Sequence, residues 1–321
     1  FLNCQAPERI FLRNFGENNL GGVCSMGLKI RTDLALEAKE SLDEDGSLNG
    51  VVFDEQTDGS TGIKVNRLRI LNETGERSMG RAKGVYYTFE TVSLSENDGE
   101  YHREVSEFLA GYIRETIKKH MKKEPPYHVM VVGLGNREAT PDALGPYVVN
   151  NLDITEKLAE DDRRFGYVSA ISPGVMAQTG METAQIIMGV VKELKPDCII
   201  VIDALAARST ARLANTIQLS DTGIMPGSGV GNHRNAINDR NMGVPVIAIG
   251  VPTVVDAATI VGDALEGLLD SMDYSRRKQV VQDFIPESMF RMYVTPKDVD
   301  ELVKRISFTI SEAVNISMSQ K

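Results

Sequence analysis

Asp142 and Asp203 each follow a short apolar run that reads as a buried strand, Val129 to Val132 and Ile199 to Ile202. Two carboxylates sharing a partly dry cleft cannot both ionise comfortably, so one keeps a proton. Such a pair can activate a water as base and protonate a leaving amine as acid, the two roles that peptide hydrolysis requires. Each residue also has a plainer reading. Asp142 suits the N-terminus of a helix, worth under about 1 kcal/mol, and Asp203 suits a turn after a strand.

Other chemistries find less support. Gly133-x-Gly135 after a strand invites a dinucleotide or phosphate site, because glycines let backbone approach a pyrophosphate at a helix N-terminus. The third glycine position holds Glu138 instead, an anion where a phosphate would lie. Ser228, in Pro226-Gly227-Ser228-Gly229, lacks the glycine two positions earlier that a nucleophile elbow needs. The four histidines are His102, His120, His128 and His233, and no His-Glu-x-x-His occurs, which excludes a zincin site and argues against a serine triad. Cys198 lies inside an apolar strand and reads as core, and His102, His120 and His128 read as structural.

The elements that must position the aspartates alternate strand with helix. Continuous β-branched runs without alternation indicate strands covered on both faces of a parallel sheet, whose ligands bind beyond the strands' carboxyl ends. Thr140-Pro141 predicts an N-cap with proline at the first helical position, placing Asp142 in a first helical turn. A strand is expected around Tyr167 to Ile171. Thr179 with Glu182 predicts a capping box before a helix that ends at Pro196, and strands follow at Cys198 to Ile202, Thr216 to Leu219 and Val246 to Ile249. Thr253 to Asp256 is read as the cap of a helix through Leu269, and Thr295-Pro296 with Asp298 as the cap of a last helix with the stripe Val299, Leu302, Ile306 and Ile310. Upstream, Tyr101 to Lys123 carries a helical stripe with lysines at its C-terminal end. Val85, Tyr87 and Phe89 alternate as an antiparallel strand, and Ile63 to Ile70 alternates with a shift of phase at Arg67 that suggests a bulge. The expected fold is α/β: a mostly parallel central sheet flanked by helices on both faces (phosphorylase/hydrolase-like), with an added small antiparallel β element near the N-terminus.

Composition narrows the partners. Of 321 residues, 45 are acidic and 35 are Lys or Arg, a net charge of -10 that argues against direct binding to nucleic acid or an anionic membrane. Three widely spaced cysteines support neither a disulfide framework nor a zinc ribbon and suit a reducing cytoplasm. No apolar run is long enough to span a bilayer. Residues 1 to about 30 have no sustained period and read as an extension, tag or pro-segment, with Met26 an alternative start. The acidic, Gly/Ser-rich stretch 41–62 reads as a long surface loop.

Several runs together resemble the germination protease of endospore-forming bacteria: Val131-Val132-Gly133-Leu134-Gly135-Asn136 with Thr140-Pro141-Asp142-Ala143-Leu144-Gly145-Pro146, Ser172-Pro173-Gly174-Val175, Gln178-Thr179-Gly180-Met181-Glu182, and Ile202-Asp203-Ala204-Leu205-Ala206-Ala207-Arg208. Further agreement comes from Gly227-Ser228-Gly229-Val230-Gly231-Asn232, Ile249-Gly250-Val251-Pro252-Thr253-Val254-Val255-Asp256 and Val294-Thr295-Pro296-Lys297, so the resemblance runs from about Arg31 to the C-terminus. It implies an endopeptidase that starts degradation of small acid-soluble spore proteins during germination, made in the forespore as a zymogen and assembled as a homotetramer in the spore core. It also implies a fold similar to hydrogenase-maturation endopeptidases, whose metal-binding acidic residues fall where Asp142 and Asp203 lie. Those relatives use a histidine ligand for which only His233 stands in the right part of this chain, so the expectation is a metal-free, atypical aspartic dyad with no cofactor.

The family's substrates carry a motif like Thr-Glu-(Phe or Ile)-Ala-Ser-Glu, cut after the first glutamate, and Thr32-Asp33-Leu34-Ala35-Leu36-Glu37 imitates it. The expectation is autoprocessing between Asp33 and Leu34, with residues 1–33 as extension and pro-segment and 34–321 as a single α/β peptidase domain. A preference for an acidic residue before the cut calls for a basic group in the cleft, and Arg208 is the first candidate, with Arg137 and Arg234 behind it. A metal-dependent peptidase using the same aspartates and a non-catalytic phosphate-binding protein using the Gly133-Gly135 turn are the alternative readings.

Overall fold

A computed structural model describes residues 32–42, 49–155, 165–226, 235–261, 264, 286, 288, 289 and 292–319. In chain order these form helix α1 (Ala35–Glu40), strands β1 (Val51–Thr57) and β2 (Lys64–Ile70), helix α2 (Glu73–Met79), strand β3 (Gly84–Glu90) and helix α3 (Gly99–His120). Strand β4 (Tyr127–Gly133) leads through a 3-10 turn (Thr140–Asp142) to helix α4 (Leu144–Asn150), then to strand β5 (Gly166–Ile171) and helices α5 (Met176–Thr179) and α6 (Thr183–Leu194). The remainder is β6 (Cys198–Ala207), β7 (Thr216–Ser220), α7 (Asp239–Met242), β8 (Val246–Asp256), β9 (Tyr293–Val294) and a final helix, α8 (Val299–Met318).

The nine strands among the described residues join one sheet in the order β1-β2-β3-β7-β8-β6-β4-β5, with β9 paired to β8. The central strands β5, β4, β6 and β8 are parallel, as the unbroken apolar runs require. The expected antiparallel strands lie in the same sheet, joined through β7. Alternation along β6 assigns its two faces. Cys198, Ile200 and Ile202 enter the core beneath α3, α4 and α8, whereas Ile199 and Val201 enter a second core beneath α6 and α7.

The long helices are fixed by their ends. Asp98 caps α3 by accepting from the Glu100 and Tyr101 N–H groups, each at 3.1 Å. Arg114 of α3 donates to the Ile316, Ser317 and Ser319 carbonyls at 2.7, 2.7 and 2.9 Å, satisfying groups that the end of α8 would leave orphaned. His102, inside that seam, bonds Thr309 Oγ1 at 2.6 Å and the Glu96 carbonyl at 2.9 Å, in keeping with its structural reading. His128 meets Ser169 Oγ at 2.9 Å, and His120 meets the Asp221 carboxylate at 3.2 Å. Cys198 is wholly buried, and burial pushes its thiol up to about 12, so it behaves as an inert core residue.

Several sequence expectations give way here. The stretch expected to be loop from 41 to 62 contains β1, an edge strand whose second half is exposed and therefore lacks an apolar signature. No bulge interrupts β2, whose pairing with β1 and β3 is regular. Its phase shift arises because Val65 enters the main core while Leu68 and Ile70, on the opposite face, join Ala35, Met79 and Tyr86. Thr140-Pro141 opens a 3-10 turn rather than α4, and Thr179 ends α5, so Glu182 precedes α6 without a side-chain cap bond. Thr253 lies within β8. Asp256 does cap the helical residues 257–261, accepting from the Thr259 N–H at 3.1 Å, while Leu269 lies outside the described residues.

Candidate active site

Beyond the reach of α6, the odd-numbered face of β6 changes character. Ile199 and Val201 are apolar core, Asp203 follows, and Leu205 and Ala207 then pack under Leu34. Asp203 therefore lies within β6 rather than after it, because β4 ends its pairing at Gly133 opposite Ile202 while β8 continues alongside β6 to Ala207. Asp203, Gly250 and Gln218 stand in register on β6, β8 and β7, and they form the floor of a cleft of about 520 Å³. Asp203 is nearly buried, and its Oδ1 accepts from the Ala204 N–H at 3.0 Å.

Asp142 reaches the same cleft from the β4–α4 connection. Its Oδ2 accepts from the Asn136 N–H at 2.7 Å. Two glycines make that placement possible. At Gly135, with φ of 112°, an added Cβ would lie 1.8 Å from the Asp142 carbonyl oxygen. At Gly133 an added Cβ would lie 2.2 Å from the Gly145 carbonyl oxygen, so α4 could not press against β4. The Gly133-x-Gly135 turn thus serves close packing, and the Asn136 N–H that a phosphate would want is directed at the Asp142 carboxylate.

Of residues 32–37, Asp33 lines this cleft and Glu37 a separate hollow. The Asp33 N–H donates to the Ala206 carbonyl at 2.8 Å, and Asp33 Oδ2 accepts from the Ala206 N–H at 2.9 Å. Leu34 is fully buried against Leu205, Ala207 and Val255. Glu37, also buried, accepts from the N–H groups of Arg208 at 2.7 Å and Ser209 at 3.0 Å, lies 3.3 Å from the Arg212 guanidinium, and takes a hydrogen bond from the Thr32 hydroxyl. Arg212 also makes paired bonds of 2.7 and 2.6 Å to Glu40. Burial works against its charge, but Glu40 first, then Glu37 and Glu90, hold its pKa well above the ordinary guanidinium value.

Arg208 lines a separate hollow with Glu37, Glu40 and Arg212, and its backbone N–H donates to Glu37. Arg137 is directed to Asn150, and Arg234 lies outside the described residues. Among the described residues, Arg81 is the cation that lines the cleft. It donates to the Thr32 carbonyl at 2.9 Å, and its buried Nε has no hydrogen-bond partner among the described residues. Burial lowers its pKa, opposed first by Asp33 and then by Tyr86 and Glu37. Sequence reasoning missed Arg81 and Gln218, and it named Glu37 only as the end of the substrate-like run. Only Gln218 left a local trace, as the polar residue between Ile217 and Leu219 in an alternating strand.

Asp142, Asp203 and Asp33 are brought together, then, along one wall and floor. The matching family model is that of the germination protease and covers residues 30–279. This chain belongs to the germination protease family. Germination proteases of Caldanaerobacter subterraneus subsp. tengcongensis, Clostridium tetani and Bacillus velezensis are 45%, 41% and 35% identical to it, each over 91% of this chain and 94%, 96% and 94% of their own lengths. A nickel–iron hydrogenase maturation protease from Thermococcus kodakarensis is similar in structure over 63% of this chain and 98% of its own, at 14% identity and a TM-score of 0.35. As a member of the family the chain is a hydrolase, an endopeptidase of spore germination. Among the described residues no helix is long and apolar enough to cross a membrane, and no group of three or more His, Cys, Asp or Glu side chains could hold a metal ion. His233, the expected third ligand, lies outside the described residues, as does Ser228.

Proposed function

We propose that the chain is the precursor of an atypical aspartic endopeptidase, a homotetramer that cuts small acid-soluble spore proteins in the germinating spore. It cuts after an acidic residue and before a large apolar one, and its first substrate is its own Asp33–Leu34 bond. The observation that carries this reading is that Asp33 lines the same cleft as Asp142 and Asp203, with Leu34 in an apolar pocket next to it. The acid before the cut is received by the Ala206 N–H, a charge-assisted bond, in a cleft where Arg81 supplies a positive charge. Asp33 occupies the place a substrate needs, which is how the precursor is restrained until residues 1–33 are removed.

The mechanism adds one water across the bond. One aspartate takes a proton as the water oxygen bonds to the Asp33 carbonyl carbon, and the other gives a proton to the Leu34 nitrogen as the C–N bond breaks. The products are a carboxylate at Asp33 and an amine at Leu34. Acidifying the purified chain and sequencing its new N-terminus should yield Leu34. Asp142→Asn and Asp203→Asn should each slow cleavage of that bond, and of a peptide containing Thr-Glu-Phe-Ala-Ser-Glu, by about 10³-fold or more, as loss of a catalytic acid or base does. A variant that cuts at the parent rate, or an active form that keeps residues 1–33, would overturn the assignment. Stoichiometric zinc with loss of activity in chelator would replace the dyad by a metal mechanism.

A further inference from the structure

We propose that Gln218 is a catalytic residue that grips the peptide unit being cut and polarises its carbonyl. The proposal rests on the reading of Asp33–Leu34 as a bond this cleft hydrolyses. Gln218 Nε2 donates to the Asp33 carbonyl oxygen at 3.2 Å, and Gln218 Oε1 accepts from the Ala35 N–H at 2.7 Å. The carboxamide thus spans the bond, holding the carbonyl on its acyl side and the second N–H beyond it. Because the oxygen end is committed to Ala35, the donor end can only face Asp33, and the orientation is not a free choice of amide rotamer.

The surroundings make this donor an effective one. Gln218 is 9% exposed, on the strand next to β8, and Gly250 stands between it and Asp203 in the same register row. Gly250 leaves room for the Leu205 side chain, which packs over it within 2.6 Å of where a Cβ would stand, so the floor between the carboxylate and the carboxamide is apolar. When water bonds to the Asp33 carbonyl carbon, the π electrons move onto the oxygen, which becomes anionic while the nitrogen is still attached. A pre-positioned N–H aimed at that oxygen gains strength as the charge develops, the behaviour for which loss of one such donor costs about 10²–10³-fold in rate. As the tetrahedral species collapses, the oxygen returns its electrons and the Leu34 nitrogen leaves with a proton from the aspartate pair. Gln218 is unchanged throughout.

A residue that merely tethers residues 33–35 would show the same two hydrogen bonds, so the test must separate tether from donor. The full-length parent, Gln218→Ala, Gln218→Glu and Asp203→Asn are compared for first-order appearance of the Leu34 N-terminus across pH, after melting curves confirm that each is folded. Gln218→Ala should slow the cut by about 10²-fold. Gln218→Glu keeps an oxygen for Ala35 but opposes a second oxygen to the carbonyl while ionised. Its rate relative to the parent at the same pH should rise on acidification, as the carboxyl regains an O–H donor. Gln218→Ala within threefold of the parent, or a Gln218→Glu ratio that stays flat with pH, would overturn the proposal and leave the endopeptidase reading intact. A parent that never cuts at Leu34, or an Asp203→Asn variant that cuts as fast as the parent, overturns that reading and the role of Gln218 with it.

Discussion

The two faces of the central sheet are built from the same strands and end differently. On one face, Ile200 and Ile202 of β6 lie beneath α3, α4 and α8 in an unbroken apolar core. On the other, α6 covers Ile199 and Val201, and past its reach the floor turns polar with Asp203 and Gln218. Burial without partners favours apolar side chains, while carboxylates and a carboxamide are tolerated where backbone N–H groups and a peptide meet them. The cleft therefore opens where helix cover stops.

Substitutions on the covered face should cost stability and leave chemistry alone. Ile200→Ala removes a fully buried side chain and should destabilise by about 2–5 kcal/mol in denaturant unfolding, while protein that remains folded cleaves at the parent rate. If cleavage fell in step with lost side-chain volume there, the separation of faces would be wrong. Gly135→Ala tests the open side. Its Cβ would collide with the Asp142 backbone and displace that carboxylate, so cleavage should fall about 10²-fold, the scale expected for a misplacement of about 1 Å.

The apolar face was the legible one. The runs at Val129, Ile199 and Val246 and the stripe along α8 announce buried strands and a buried helix through local period alone, and all are found. The cleft was legible only where a side chain interrupts such a run, as Asp203 does in β6. Arg81, Gln218 and Glu37 act through partners far away in the chain, such as Thr32, Asp33 and the Arg208 N–H, so their roles are not marked by local period, and Gln218 shows only as a polar residue between two apolar ones. The misread ends of β6 and β8 have a common cause: backbone pairing continues after apolar patterning stops, because the partner strands continue.

The seam between the sheet's antiparallel limb and α3 offers a smaller test. Asp221 accepts from the Val85 N–H at 2.7 Å, from Lys119 at 2.9 Å and from His120 at 3.2 Å. Burial pushes its pKa up, but these bonds outweigh it and hold the carboxyl at about 2. A depressed carboxyl pKa adds stability above its ordinary value, lost as pH falls through the folded value. The parent should therefore lose about 1–2 kcal/mol between about pH 4 and pH 2 that Asp221→Asn does not lose, as read by unfolding at stepped pH. Smallest of all, Arg77→Ala breaks a pair with Glu73 whose side chains are 79% and 88% exposed, and its melting temperature should match the parent's.

Glu37 has a bearing on reversibility. If the bond before Leu34 is cut, the amine half stays, since Leu34 is buried and Glu37 remains held by two N–H groups and Arg212. The acyl half is held through Ala206, Gln218, the Arg81 bond to Thr32 and the Thr32 hydroxyl on Glu37, and it acquires a new carboxylate near Asp142 and Asp203. A retained amine keeps a high effective concentration toward that carboxylate, so rejoining competes with escape until like charges drive the acyl half out. Departure of residues 1–33, rather than the scission, is then the step that commits the molecule.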